Sequence, residues 1–194
     1  MKQRATRDLF AFWNELRGPR SAPDRAEIDP ARLAPVLGNV FLLETTLAGM
    51  TRIRLAGTHL CAAFDAELRG RDFCELWRGE DRAAIRELVE TVGEERAAAV
   101  LGAQCRDGVR DIGAAEMILL PLRRGRDRIE AMIGAFTRHA AGALPGRTLE
   151  LGLDTRRLSW PSGRRPSSER RVPVLAHPDA RRYGPLYVYD GGRF

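Results

Sequence analysis

Three cysteines, Cys61, Cys74 and Cys105, and three histidines, His59, His139 and His177, are the side chains of this 194-residue sequence best suited to nucleophilic, redox or metal chemistry. Their spacing supports none of it. The cysteines are odd in number and form no C-x-x-C pair, so neither a disulfide framework nor a zinc knuckle is indicated, and the thiols read as buried and reduced. The histidines form no H-x-x-x-H or H-E-x-x-H pair that would set two ring nitrogens on one helical face. The glycines make no P-loop and no G-x-G-x-x-G after a strand, which leaves nucleotide binding in the usual loops unsupported. Ser159, Ser162, Ser167 and Ser168 lie in a basic stretch without a paired base, and Glu87, Glu94 and Glu95 fall on solvated helix faces. With no nucleophile oriented against a base, the chain is expected not to be an enzyme and not to hold a metal.

Composition narrows the remaining classes. A hydrophobic fraction of 44% with 30% charged residues describes a water-soluble globule. No run approaches the ~20 apolar residues that span a bilayer, and the charged start Met1 to Asp8 lacks a secretory pattern, so a cytoplasmic protein is expected. The net charge of +6 is unevenly spread: ten arginines against five acids after Ala140 place +5 of it there. An anionic partner, if there is one, belongs to that basic tail.

The elements that must position any site follow from periodicity. Leu9, Phe12, Trp13 and Leu16 recur at i, i+3, i+4 and i+7, predicting an amphipathic helix stopped by Gly18-Pro19. Asp29 caps a short helix opened by Pro30, with Leu33, Val36 and Leu37 turned inward. Asn39–Thr46 and Thr51–Ala56 read as an antiparallel hairpin. Short helices follow, one from Thr58 through Leu60, Cys61 and Phe64 and a single turn near Phe73 to Trp77. A longer helix from Asp81 carries Ile85, Leu88, Val89 and Val92 on one face. Ala98–Arg106, Val109–Leu122 and Ile129–Thr137 complete an antiparallel meander, the first turn made by Asp107-Gly108. The plan is α+β: a five-stranded antiparallel sheet over residues 39–137 with helices on one face. Residues 141–194 form a basic tail, in which Leu149, Leu151 and Leu153 alternate briefly and Pro161–Arg171 is expected to lack regular structure.

Several segments in this order have a further meaning: Leu16-Arg17-Gly18, Ile28-Asp29-Pro30, Val40-Phe41-Leu42-Leu43-Glu44, Arg54-Leu55-Ala56-Gly57-Thr58-His59-Leu60, Leu68-Arg69-Gly70-Arg71-Asp72-Phe73, Leu76-Trp77 and Glu116-Met117-Ile118-Leu119-Leu120-Pro121-Leu122. Across about residues 5–140 the chain resembles the PAS-domain superfamily, and within it the short single-domain PAS proteins common in alphaproteobacteria. The resemblance implies a sheet that cups a small cavity under its helices and a sensory role: binding a small ligand, dimerising, and relaying state to a signalling partner. It names no ligand and no cofactor, because fold does not determine function.

On that resemblance the candidate ligand-binding residues are Phe41, Leu55, Leu60, Phe64, Phe73 and Trp77, although residues like the last two more often serve as core plugs beneath the sheet than as ligand-stacking rings. A haem- or flavin-binding redox sensor is the alternative reading. His59 could ligate haem in principle, although it also suits an ordinary helix start; Cys74 lacks the Asn-Cys-Arg-Phe-Leu-Gln context of flavin-adduct cysteines. The stripe Leu9, Phe12, Trp13 and Leu16 must dock on its own sheet or on the same helix of a second subunit. A homodimer through that self-complementary face is the expectation.

Overall fold

The computed structural model describes residues 1–46, 49–124, 128–139, 149–160, 181–183 and 186–190. Helix α1 (Arg4–Arg17) ends where Gly18 adopts φ 53°, a left-handed turn that a Cβ would strain. A 3-10 helix, Pro30–Asn39, follows and is capped by the Asp29 carboxylate, which accepts the Ala31 N–H at 2.9 Å. Then come β1 (Val40–Thr45), β2 (Thr51–Ala56), α2 (Thr58–Phe64), a 3-10 turn (Phe73–Leu76), α3 (Arg82–Glu94), β3 (Ala98–Asp107), β4 (Arg110–Arg124) and β5 (Arg128–Arg138). These match the expected elements closely.

All strands belong to one antiparallel sheet in the order β2-β1-β5-β4-β3, continued by β6 (Leu149–Ser159), β8 (Leu186–Asp190) and β7 (Arg181–Tyr183). The five expected strands are therefore present, but the sheet does not stop at β3. An unpaired β3 would present a long row of free N–H and C=O groups. Strand β6 covers it along its full length, from Ala98 opposite Ser159 to Asp107 opposite Leu149. It also reaches the helical layer: Arg78 donates its backbone N–H to the Leu151 carbonyl at 2.9 Å, and the Asp81 carboxylate accepts the Leu153 N–H at 2.9 Å. Leu149 and Leu151 are buried in the inner core, beside α2 and the Phe73–Leu76 turn. The expected irregular stretch Pro161–Arg171 and its serines lie outside the described residues.

Apolar side chains cover both faces of the sheet. On the inner face α2, α3 and the 3-10 turn pack over Leu43, Ile53, Leu101, Met117 and Leu119, as expected. On the outer face α1 and the Pro30–Asn39 helix pack over Val40, Ile118, Leu120, Leu122 and Ile133. Of the two surfaces expected for the α1 stripe, the chain's own sheet is the one it meets here. Leu9, Phe12 and Trp13 are buried within the single chain, Leu16 lies half-buried beside them, and the Trp13 indole N–H donates to the Pro121 carbonyl at 2.8 Å. Burying each such side chain is worth roughly 1.5–3 kcal/mol, and the chain's own sheet supplies that burial. The expectation for Leu37 is corrected: it faces outward, 41% exposed.

The start of α1 has no side-chain cap of its own. The cap comes from β4, where the Glu116 carboxylate accepts the Lys2 N–H at 2.7 Å, the Gln3 N–H at 3.0 Å and the Thr6 hydroxyl. Burial pushes the Glu116 carboxyl up, but the bonds from Thr6, Gln3 and Lys2 outweigh it and hold it below the ordinary glutamate range. A carboxyl depressed in the folded state adds stability above its unfolded value, about pH 4.3, and loses that contribution as pH falls through its folded value.

Two outcomes follow. Glu116→Gln should lower stability to urea by about 1–3 kcal/mol at neutral pH, with the deficit shrinking in acid; a deficit unchanged down to about pH 3 would exclude the carboxylate as the cap. A chain ending at Ala140 should be less stable than one ending at Trp160 by several kcal/mol, since Leu149 and Leu151 are worth roughly 1.5–3 kcal/mol each. Equal urea midpoints for the two chains would show β6 to be dispensable.

Candidate ligand site

The aromatic residues converge on the inner face. Phe41 of β1 stacks on Phe73 with ring centroids 5.8 Å apart, Phe73 meets Trp77 edge-on at 6.3 Å, and Phe64 tilts against Phe136 at 6.1 Å. Phe73 is delivered by the 3-10 turn that Asp72 caps, its carboxylate accepting the Cys74 N–H at 2.9 Å. Room for the Phe41 ring comes from Gly134, directly opposite it on β5. A Cβ there would overlap the ring and come within 2.6 Å of the Ile118 carbonyl oxygen. Leu60 joins the same cluster, so Phe41, Leu60, Phe64, Phe73 and Trp77 are indeed brought together. They meet as packing partners, however, each 9% exposed or less. The Trp77 indole N–H is buried there without a hydrogen-bond partner, at a cost of about 1–3 kcal/mol.

Leu55 goes elsewhere. The β1–β2 ladder slips between Leu42 and Leu43, so Arg54 is an extra residue, and Leu55, two after the inward Ile53, pairs with the outward Leu42. The bulge turns Leu55 to the outer face, 47% exposed.

On that face lies a cleft of about 530 Å³ between the Pro30–Asn39 helix and strands β1, β2 and β5. Leu33, Val40, Leu122 and Ile133 line its buried side, and the exposed Leu37 and Leu55 stand at its rim. Its walls are held by local turn chemistry. Asp24 and Glu27 form a reciprocal cap around the 3-10 turn Arg25–Glu27, which places Arg25 and Ile28 at one end. At the other end Gly57 donates its N–H to the Val40 carbonyl at 2.8 Å. Only a glycine fits, because a Cβ would run into the Leu37 and Gly38 carbonyl oxygens. The periodicity of the sequence could not locate this cleft, since its rim depends on the bulge and on Leu37 facing outward.

The other candidates for chemistry are dispersed. His59 is exposed at the start of α2, a ring nitrogen 3.1 Å from the Asn39 side-chain oxygen. Among the described residues no group of three or more His, Cys, Asp or Glu could hold a metal ion. Burial, with a contribution from Asp72, pushes the Cys74 thiol up to about 11, and burial likewise raises Cys105. Cys61 is half-buried. A disulfide reagent at mildly alkaline pH should therefore modify Cys61 well ahead of Cys74 and Cys105, which react once denaturant is added. Rapid modification of all three thiols in the folded protein would contradict this.

No curated protein matches the chain. The family model described as PAS domain matches residues 1–137, a span that takes in α1, the whole inner helical layer and strands β1 to β4 with nearly all of β5. The match ends before β6. Such domains serve sensory and regulatory roles and commonly mediate dimerisation or contact with a partner. With its strand order β2-β1-β5-β4-β3, its inner helices between β2 and β3, and a family match across most of its length, the chain belongs to the PAS-domain family.

Proposed function

We propose that this protein is a non-catalytic regulatory module whose outer-face cleft takes a small apolar ligand and whose occupancy is read by a signalling partner. The cleft itself carries the reading. Apolar concavities of about 300–1,000 Å³ are the usual form of a small-molecule site. This one combines an aliphatic lining with two large leucines left in water at its rim. Leaving Leu37 and Leu55 exposed forgoes burial that a ligand would restore.

The location also supplies a route to output. The cleft is bounded by the Pro30–Asn39 helix, which packs against α1 on the same face. A ligand that spreads or tightens this layer alters the surface α1 presents, and a second copy or a separate signalling protein can respond to that surface. The aromatic core on the inner face, Phe41, Phe64, Phe73, Trp77 and Phe136, is instead packed against itself.

The neutral fluorophore N-phenyl-1-naphthylamine tests the site. Its emission should rise saturably with the protein, and Leu37→Glu and Leu55→Glu should each weaken binding about tenfold at little cost in stability, because both residues are exposed. Undiminished binding by both folded variants would exclude the cleft.

A further inference from the structure

The charges at the end of the cleft narrow the ligand class, given the reading of the cleft as a ligand site. Its lining side chains include Ile28, Pro30, Leu33, Leu42, Leu55 and Ile133, all aliphatic, with no aromatic ring to stack on a planar guest. The one charged lining residue is Arg25. Its guanidinium gives an Nη1 bond to the Glu44 carboxylate, which also faces Arg54 at 3.8 Å and stands opposite Arg52 in the β1–β2 ladder. Two guanidinium groups, those of Arg25 and Arg54, therefore meet at a single carboxylate.

The nearby acids Asp24, Asp29 and Glu27 keep their charge, but each holds a partner other than Arg25. Asp24 accepts the Ala26 N–H, Asp29 accepts the Ala31 N–H, and Glu27 pairs with Arg20 at 2.9 Å. A guanidinium carries five N–H donors in a planar fork, and Glu44 engages Arg25 through one nitrogen. Arg25 can accordingly receive a second oxyanion beside Glu44, with Arg54 adding long-range attraction.

We infer that the cleft binds a linear aliphatic monocarboxylate, its chain laid along Leu33, Leu42, Leu55 and Ile133 and its carboxylate on Arg25. Both halves of the site are needed. The aliphatic walls reward each methylene buried, while the Arg25 guanidinium at one end sets the direction in which the chain enters.

Titration calorimetry of the full chain with octanoate and with octanol separates the contributions. Octanoate should bind about tenfold or more tightly than octanol, the ratio expected of a charge-assisted hydrogen bond. From hexanoate through octanoate to decanoate, affinity should rise about three- to fourfold per methylene. Arg25→Gln should remove the preference for octanoate and leave octanol binding unchanged, whereas Leu55→Glu should weaken both. Equal affinity for octanoate and octanol, or a preference that survives Arg25→Gln, overturns the carboxylate assignment while leaving an apolar site in place. If neither probe binds, or if Leu55→Glu changes neither, the cleft is not the ligand site and both readings fall.

Discussion

A β-sheet that is apolar on both faces must be covered on both, and β4 imposes that condition on this protein. Its run Met117-Ile118-Leu119-Leu120-Pro121-Leu122 does not alternate with polar residues as a half-solvated strand would. Met117 and Leu119 point into the inner core, Ile118, Leu120 and Leu122 into the outer one. The helices between β2 and β3 can serve only one side. The other side needs a second layer, and α1 with the Pro30–Asn39 helix provides it. Pro121 fits the arrangement, because β3 pairs with β4 no further than Ala99 opposite Leu119, so the proline stands past the ladder on that side. Its carbonyl is then the acceptor for Trp13.

Glu116 extends the same logic to charge. It is the one acidic residue at the head of that apolar run, and it is 7% exposed. Isolated, a carboxylate so placed would be costly. Here it meets three donors at the start of a helix whose own N-cap, Gln3, provides no side-chain bond, so the partial positive charge of the helix end and the buried carboxylate satisfy each other. Shape complementarity through Trp13 and electrostatic pairing through Glu116 together set both the position and the orientation of α1.

Much of this architecture is legible in the residues. The stripes of α1 and α3, the Asp29-Pro30 helix start and the Asp107-Gly108 turn each follow from local chemistry, and they place the elements in their correct order. What periodicity cannot supply is the identity of the surface a stripe meets. The stripe of α1 is equally suited to a second helix and to a sheet, and only the unbroken apolar run of β4, read as a demand for a second covering layer, distinguishes them. Likewise the alternation Ile53, Leu55 predicts one face for both, and the extra residue Arg54 defeats it. The aromatic set Phe41, Phe64, Phe73 and Trp77 was recoverable as a cluster, since all four come from elements facing the same side, but whether rings in a cluster enclose a void or fill it depends on packing at a scale no pattern records. The sixth strand is signalled only by three alternating leucines in a stretch otherwise rich in arginine.

The pairing of Thr6 with Glu116 spans 110 residues of chain. During translation at about 5–20 residues per second, the first helix is therefore made roughly 5–20 s before the strand that caps and covers it. Throughout that interval its tryptophan and phenylalanine have no native surface to rest on. Helix α1, made well ahead of its partner strand, is thus among the last of these elements to dock, and the nascent chain carries an exposed apolar stripe until the central hairpin of the sheet emerges. Closure of the outer layer is thus a late, long-range event in biogenesis, which gives chaperones a defined window and a defined segment on which to act.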